Sequence, residues 1–268
     1  TNFKLNASGE YLALIRPDGI ATESEYAPSF PTQYPNVSFG IGSVDTNSVI
    51  LVGPGAPLSY LVPNNGGSDV GGASPFHELG YETAAIGKWH LGFNWLANVK
   101  PRVKLKNRKD PDVNAFDWTL PAPDGPTSHG FDYYFGDGTT NKPPFAWVEN
   151  DHIAGDVPNI NLTREMTAAN CPGPGVKGWD HEKVMPTLTR KAVEWIAKRE
   201  GDTQPFFMYF STSSPHAPVV PVEPFVGSTK VGPYGDYVAQ TDWSAGQVLN
   251  ALKTYGFEDN TVVIFSSD

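Results

Sequence analysis

A lysine and a histidine two residues apart are the first side chains in this sequence that could do chemistry together. Lys88 and His90 lie in the stretch GYETAAIGKWHLG, where glycines flank a turn that follows a β-prone run. In an extended segment, residues i and i+2 point to the same side, which predicts that both reach one ligand while Trp89 packs the other way. The pattern therefore predicts a permanent cation and a proton-exchanging imidazole at the end of a strand, where open α/β sheets bind ligands.

These residues also have a simpler interpretation. Lys88 could be a solvated surface charge and His90 a turn residue bonded to the backbone. His216 has the same two interpretations, because a loop histidine is more often structural or exposed. It follows a continuous apolar run, and Pro215 and Pro218 stiffen its loop and hold it near the predicted strand end.

Composition excludes several functional classes. A formal net charge of −10 argues against a general binder of nucleic acids or anionic membranes. Cys171 is the only cysteine, which excludes an internal disulfide and a cysteine-cluster metal site. The sequence contains no apolar run of about 18 residues, so no membrane span is predicted. The 27 glycines and 25 prolines indicate many loops, where function is expected to lie.

Helical and strand patterns alternate after residue 75, which predicts an α/β fold. Residues 1–45 instead predict a β-hairpin around a Pro17-Asp18-Gly19 turn, and 100–128 a surface excursion. The predicted elements are a helical turn at 75–79, strands at 83–86, 205–210 (buried on both faces) and 261–265, and helices at 185–198 and 234–255. The second helix is predicted to pack through an apolar stripe of Val238, Thr241, Ala245, Val248, Leu249 and Leu252.

The stretch GYETAAIGKWHLG closely resembles the second signature of the sulfatases, the arylsulfatase-like branch of the alkaline phosphatase superfamily. Three further segments are similar to sulfatase blocks: HGFDYYFG at 129–136, the segment 205–221 around His216, and TVVIFSSD at the end of the chain. The resemblance implies a three-layer α/β sheet of alkaline-phosphatase type, here incomplete, and hydrolysis of sulfate esters. In this family the substrates include aryl sulfates, sulfolipids and sulfated polysaccharides.

The resemblance also implies roles for individual residues. Lys88 would bridge the sulfate and the leaving-group oxygen, His216 would donate to the leaving group, and His90 would orient the nucleophile. Thr140 and Asn141 fall where the family often places a polar substrate contact. Asp268 would be a calcium ligand, which suits a hard cation that binds oxygen, although the same residue could be a solvated carboxylate.

Two features of the sulfatase pattern are missing from this sequence. Neither a calcium-binding pair of aspartates nor a Cys/Ser-x-Pro-x-Arg nucleophile motif is found; the similar string at 29–33 has Gln33 in place of arginine, and Cys171 lacks the spacing. We therefore expect this chain alone not to turn over sulfate esters. The alternative hypothesis is a non-catalytic pseudo-sulfatase that binds or adheres. A third, a sibling phosphatase or phosphodiesterase, is disfavoured by the sulfatase context of Lys88, His90 and His216.

The predicted domain organisation has three parts. Residues 1–45 resemble the end of a lamin-tail-type β-sandwich domain, 46–74 form a linker by composition, and 75–268 form the sulfatase part. The sequence is interpreted as a fragment at both ends. It names no compartment by itself, and the family's habit in bacteria is periplasmic or secreted.

Overall fold

The computed structural model describes residues 8–15, 20–30, 76–77, 79–105, 112–167 and 171–266. Contacts divide the chain into two compact units, residues 1–58 and 59–268. In the first unit, strand β1 (Leu12–Ile15) pairs antiparallel with β2 (Thr22–Tyr26), which confirms the predicted hairpin. Its predicted turn at 17–19 lies outside the described residues. The lamin-tail resemblance and the predicted domain boundaries stay predictions.

The second unit is built on a mixed five-stranded sheet in the order β6-β5-β4-β3-β9. Its strands are β3 (Glu82–Gly87), β4 (Tyr133–Gly136), β5 (Trp147–Glu149), β6 (His152–Ala154) and β9 (Phe206–Ser211). The central strand β3 is parallel to β4 and β9, whereas β5 and β6 are antiparallel to their neighbours. Strands β7 (Ile160–Leu162) and β8 (Gly173–Gly175) form a separate pair. The mixed α/β fold and the strand predicted at 83–86 are confirmed.

Two helices cover one face of this sheet. They are α1 (Val184–Ala197) and α2 (Pro233–Thr254), within one or two residues of the predicted bounds. Alternate residues of β3, Ala84 and Ile86, point into the core between sheet and helices, where they meet Leu188 of α1. Residues 76–77 are helical, in agreement with the predicted turn. No helix in the described ranges is long and apolar enough to cross a membrane.

Aromatic side chains cover the opposite face of the sheet. Ala85 of β3 and Tyr134 of β4 pack there against Trp89 and Phe131. The prediction that 100–128 is a surface excursion holds at 100–104, which are exposed, but is wrong further along, where a small core forms from Val113, Ala115, Phe116 and Trp118. Burying the apolar and aromatic side chains between 113 and 118 is favourable because it removes them from water.

Two strand predictions require correction. Strand β9 is half-buried with Tyr209 exposed, not buried on both faces. Residues 261–265 form no strand, and Ile264 and Phe265 are 84% and 78% exposed. Both differences have one cause: β9 borders the described part of the sheet, and no described strand pairs with its outer edge or with 261–265. A strand needs a neighbouring backbone to accept its hydrogen bonds.

The face through which α2 packs also differs from the prediction. Val238 and Leu249 are 42% and 50% exposed, so they do not belong to the packed face. Gln240 and Ser244 are buried instead. The amide oxygen of Gln240 accepts a hydrogen bond from the Val222 N–H (3.1 Å), and Thr189 of α1 donates to Ser244 (2.9 Å). Leu252 and Val248 of the predicted stripe do pack in the core, so the packed face is rotated towards Gln240 and Ser244 and not replaced.

Arg199, just beyond α1, ties that helix to the start of β3. Its guanidinium forms an ion pair with Glu82, donates to the Trp195 carbonyl (2.6 Å), and lies 3.2 Å from the centre of the Trp195 ring. The Arg199 side chain is buried and that of Glu82 is partly buried. Breaking such a pair costs the most stability when it leaves one charge buried without its partner.

We expect Glu82→Gln to lower the free energy of unfolding by about 2 kcal/mol, because Arg199 would keep its charge in a buried position. Urea denaturation measures this. The matched control is Glu194→Gln, which removes the exposed ion pair with Arg190 and should cost no more than about 0.5 kcal/mol. An equal decrease in the free energy of unfolding in the two variants would show that the Glu82–Arg199 pair contributes no more to stability than the exposed pair.

Candidate active site

The loops that follow β3, β4 and β9 meet at one edge of the sheet, because these three strands are parallel. Lys88 is bound there through its backbone: its N–H donates to the Ser211 carbonyl (2.9 Å), and the Ser211 hydroxyl donates to the Lys88 carbonyl (2.7 Å). Gly87 makes this approach possible. It has a φ of 121°, and a Cβ at this position would collide with the Ser211 carbonyl oxygen.

A buried tyrosine joins the first two of these loops. The Tyr134 hydroxyl donates to the Gly87 carbonyl (3.0 Å) and accepts from the Gly138 N–H (3.1 Å). The N–H groups of Trp89 and His90 both donate to the Gly138 carbonyl, at 2.8 and 3.1 Å. Burial raises the pKa of Tyr134, so its hydroxyl keeps the proton that it donates. The turn at 88–90 and the loop after β4 therefore form one hydrogen-bonded unit.

His90 does not lie on an extended strand beside Lys88, as the spacing argument assumed. Strand β3 ends at Gly87, and His90 is exposed with a φ of 57°, in the left-handed region. The rule that residues i and i+2 share a side therefore fails at this position. The prediction for Trp89 is confirmed, since it is buried against Phe131. The catalytic role of His90 stays a prediction.

His216 lies in the loop after β9, at the same edge as Lys88. Its ring is exposed, and Nδ1 lies 2.7 Å from the Ala217 carbonyl oxygen. A carbonyl only accepts, so Nδ1 carries a proton and Nε2 is the nitrogen that exchanges one. The Ser214 hydroxyl is hydrogen-bonded to Thr241 of α2 (2.7 Å), which holds this loop against the helix.

Thr140 and Asn141, the predicted substrate contacts, lie in the loop after β4. Thr140 is buried and Asn141 half-buried. His181, which sequence reasoning missed, donates from Nε2 to the Thr140 carbonyl (2.9 Å). Burial lowers the pKa of His181, which keeps its imidazole neutral near neutral pH. His181 therefore acts as an internal anchor for this loop, and a lone histidine in the sequence carries no signal for that.

Asp137 is the second residue that sequence reasoning missed. It directly follows β4, is 3% exposed, and neither carboxylate oxygen accepts a hydrogen bond from any described residue. Burial raises its pKa to about 6. The Thr140 hydroxyl and the Lys88 charge lower that pKa in part, although the hydroxyl contact lacks hydrogen-bond geometry. Placed between two glycines, Asp137 has the sequence context of a turn residue.

Ser213, in the loop after β9, is a further buried polar residue at this edge. Like the side-chain oxygens of Asp137 and Thr140, its hydroxyl has no hydrogen-bond partner with good geometry among the described residues. Ser213 and Asp137 both influence the pKa of Tyr237, so both lie near its hydroxyl. An unpaired buried polar group costs on the order of 1–3 kcal/mol, so this edge is suited to a ligand with several polar atoms.

The described residues do not by themselves fit a calcium site. They contain no group of three or more His, Cys, Asp or Glu side chains that could hold a metal ion. Asp268, the predicted ligand, lies outside the described residues. Calcium therefore remains a prediction that rests on the sequence resemblance, and no chemical step is assigned to it.

We expect Gly87→Ala to lower the free energy of unfolding by at least about 2 kcal/mol, because the methyl group both strains the backbone and collides with Ser211. Gly92→Ala is the matched control. Gly92 also has a positive φ, of 100°, but no described atom lies within 4 Å of the place that an added methyl group would take, so about 1 kcal/mol is expected. Equal thermal stability of the two variants would contradict the close packing of Lys88 on β9.

Comparison with known proteins gives a consistent result. The Sulfatase family model matches residues 73–268, which is more than half of the chain. N-acetylgalactosamine-6-O-sulfatase of Bacteroides thetaiotaomicron is 29% identical over 231 residues, covering 73% of this chain and 42% of that protein. Human N-acetylgalactosamine-6-sulfatase is 30% identical over 194 residues, covering 71% of this chain and 30% of that protein. The chain therefore spans less than half the length of either relative.

A solved structure shows the same fold. It comes from work on the metabolism of multiple glycosaminoglycans by Bacteroides thetaiotaomicron. The TM-score is 0.55 at 26% sequence identity, with 70% of this chain and 43% of that chain covered. The residues matched by the family model contain the candidate active site.

Proposed function

Because this chain belongs to the sulfatase family, we propose that the edge formed by the loops after β3, β4 and β9 binds the sulfate group of a sulfate ester. One observation carries the proposal: the paired hydrogen bonds between Lys88 and Ser211 hold a cation at the start of the loop that bears His216. A sulfate ester gains negative charge on its leaving oxygen as the S–O bond breaks. Preorganised donors at that position stabilise the transition state.

The side chains divide the work according to their chemistry. Lys88 provides the permanent charge that bridges the sulfate and the leaving oxygen. Where a nucleophile is supplied, His216 would donate to that oxygen through Nε2 and His90 would orient the nucleophile. Asn141, in the middle of the loop after β4, is half-buried and is the residue of this pair that the substrate can contact, since Thr140 is buried.

The proposed substrate class is a sulfated amino sugar of a glycan. This follows from the relatives, two of which are named for the 6-sulfate of N-acetylgalactosamine. We further propose that this chain by itself binds the ester without hydrolysing it, because its sequence contains no Cys/Ser-x-Pro-x-Arg motif to supply the nucleophile. This proposal corresponds to the alternative hypothesis of a non-catalytic pseudo-sulfatase that binds its ligand.

Calorimetry with N-acetylgalactosamine 6-sulfate tests the binding proposal. We expect the sulfated sugar to bind and Lys88→Met to weaken it by about tenfold or more, since a charge-assisted hydrogen bond is lost. The matched control is Lys253→Met, an exposed lysine in the last turn of α2, which should leave affinity unchanged. Equal binding of unsulfated N-acetylgalactosamine, or equal effects of the two variants, would refute the proposal.

An aryl sulfate assay tests the absence of turnover. We expect no product above background with the chain alone, with or without added calcium, because no residue is available to form the covalent intermediate. Calcium-dependent turnover that Lys88→Ala abolishes would contradict this expectation, and it would show that a different residue of this chain supplies the nucleophile.

A further inference from the structure

We propose that Asp137 is an internal counter-ion for Lys88, so that its carboxylate and a bound sulfate compete for the same ammonium group. Asp137 would then be a positioning residue that acts on the substrate through Lys88. The competition with sulfate rests on the proposed function, whereas the pairing of the two side chains does not.

The sheet register brings these two residues to the same level. Strands β3 and β4 are parallel, with Ile86 opposite Phe135. Lys88 and Asp137 lie two residues further along and are the first positions after the ends of β3 and β4. The Trp89 N–H donates to the Gly138 carbonyl and the Gly138 N–H donates to the Tyr134 hydroxyl, which keeps the two segments together beyond the last strand pair. The backbone thus holds Lys88 and Asp137 side by side.

Because Asp137 is buried, a nearby charge has a large effect on its carboxylate. A carboxylate that is 3% exposed, with no described hydrogen-bond donor on either oxygen, has lost its hydration and gained little in return. The Thr140 hydroxyl and the backbone N–H of Asp137 favour its charged form, and Lys88 adds the effect of a positive charge without forming a close ion pair. Lys88 is the cation whose charge acts on Asp137, and it is only half-buried, so its ammonium can face both Asp137 and an incoming ligand.

The other titratable groups that face Asp137 do not supply a second counter-ion. They are Tyr134 from β4 and Tyr237 from α2, and burial raises the pKa of both phenols, which keeps them neutral. Thr140, from the loop of Asp137 itself, offers only a hydroxyl. Burial raises the pKa of Asp137 to about 6, so the carboxyl group is charged at neutral pH. Because this pKa lies close to neutral pH, a change in the surroundings can protonate the group.

Sulfate binding is such a change. A second anion beside Lys88 repels the carboxylate and shares its counter-ion, so the proton-bound form of Asp137 becomes more favourable. Sulfate binding should therefore be accompanied by proton uptake at Asp137. By linkage, affinity for sulfate rises as the pH falls through the pKa of Asp137, and neutralising this residue removes that part of the pH dependence.

The first experiment needs no sulfate. The carbon-13 shift of the Asp137 carboxyl group is titrated by NMR in the wild-type chain and in Lys88→Met, with Asp137→Asn to identify the resonance. Removing the neighbouring cation should raise the midpoint by about one pH unit. An unchanged midpoint in a folded Lys88→Met variant overturns the counter-ion, whether or not the edge binds sulfate.

The second experiment measures inorganic sulfate binding by calorimetry at about pH 7.5, in buffers with different heats of ionisation. Asp137→Asn should bind sulfate roughly tenfold more tightly than wild type and take up fewer protons, because one competing anion is gone. The exposed Asp242→Asn controls for the change in net charge and should match wild type. Wild-type affinity and proton uptake in Asp137→Asn overturn the competition. Absence of sulfate binding in every variant overturns the proposed function, and the NMR titration then decides the charge pair separately.

Discussion

Parallel pairing of β3 on both of its sides is the constraint on which the candidate site depends. Because β4 and β9 both run parallel to β3, the loops that follow all three strands emerge at one edge. The backbone then continues the alignment past the strand ends, through the hydrogen bonds of Lys88 to Ser211 and of Tyr134 to Gly87 and Gly138. The turn at 88–90 and the loop that bears His216 are distant in sequence, and mainly backbone groups place them together.

The same edge holds polar groups at a cost in stability. Asp137, Thr140 and Ser213 are buried there without well-formed hydrogen bonds among the described residues, in contrast to the opposite end of β3, where Asp132 accepts hydrogen bonds from the backbone and the side chain of Thr83 (both 2.9 Å). A fold usually satisfies its buried polar atoms. Buried polar atoms without a partner also lie elsewhere, such as Arg199 Nε beside the start of β3, so the candidate edge is distinguished by holding three such residues and not by being their only location.

The sulfatase-like blocks thus divide between two tasks. In the block 129–136, Asp132 joins the starts of β3 and β4, and Tyr134 joins the loops at their ends. In the block around residue 88, Gly87 permits the close approach to β9, and Trp89 packs into the aromatic core. Most residues of both blocks therefore have structural roles. In the block around residue 88, Lys88 and His90 are the residues with candidate chemical roles.

The sequence by itself determined the family, the two long helices, and the strands at β3 and β9, because apolar periodicity and motif spacing are local properties. It also pointed to Lys88 and His216, whose chemistry is recognisable from residue type. Only the tertiary structure decided that 261–265 forms no strand, that α2 packs through Gln240 and Ser244, and that Asp137 and His181 belong to the site. These outcomes depend on partners distant in the chain: a strand needs a neighbouring strand, and a buried amide or imidazole needs a hydrogen-bond donor or acceptor. The physical reason is that hydrogen bonds and burial are made between segments, and no local pattern states which segments will meet.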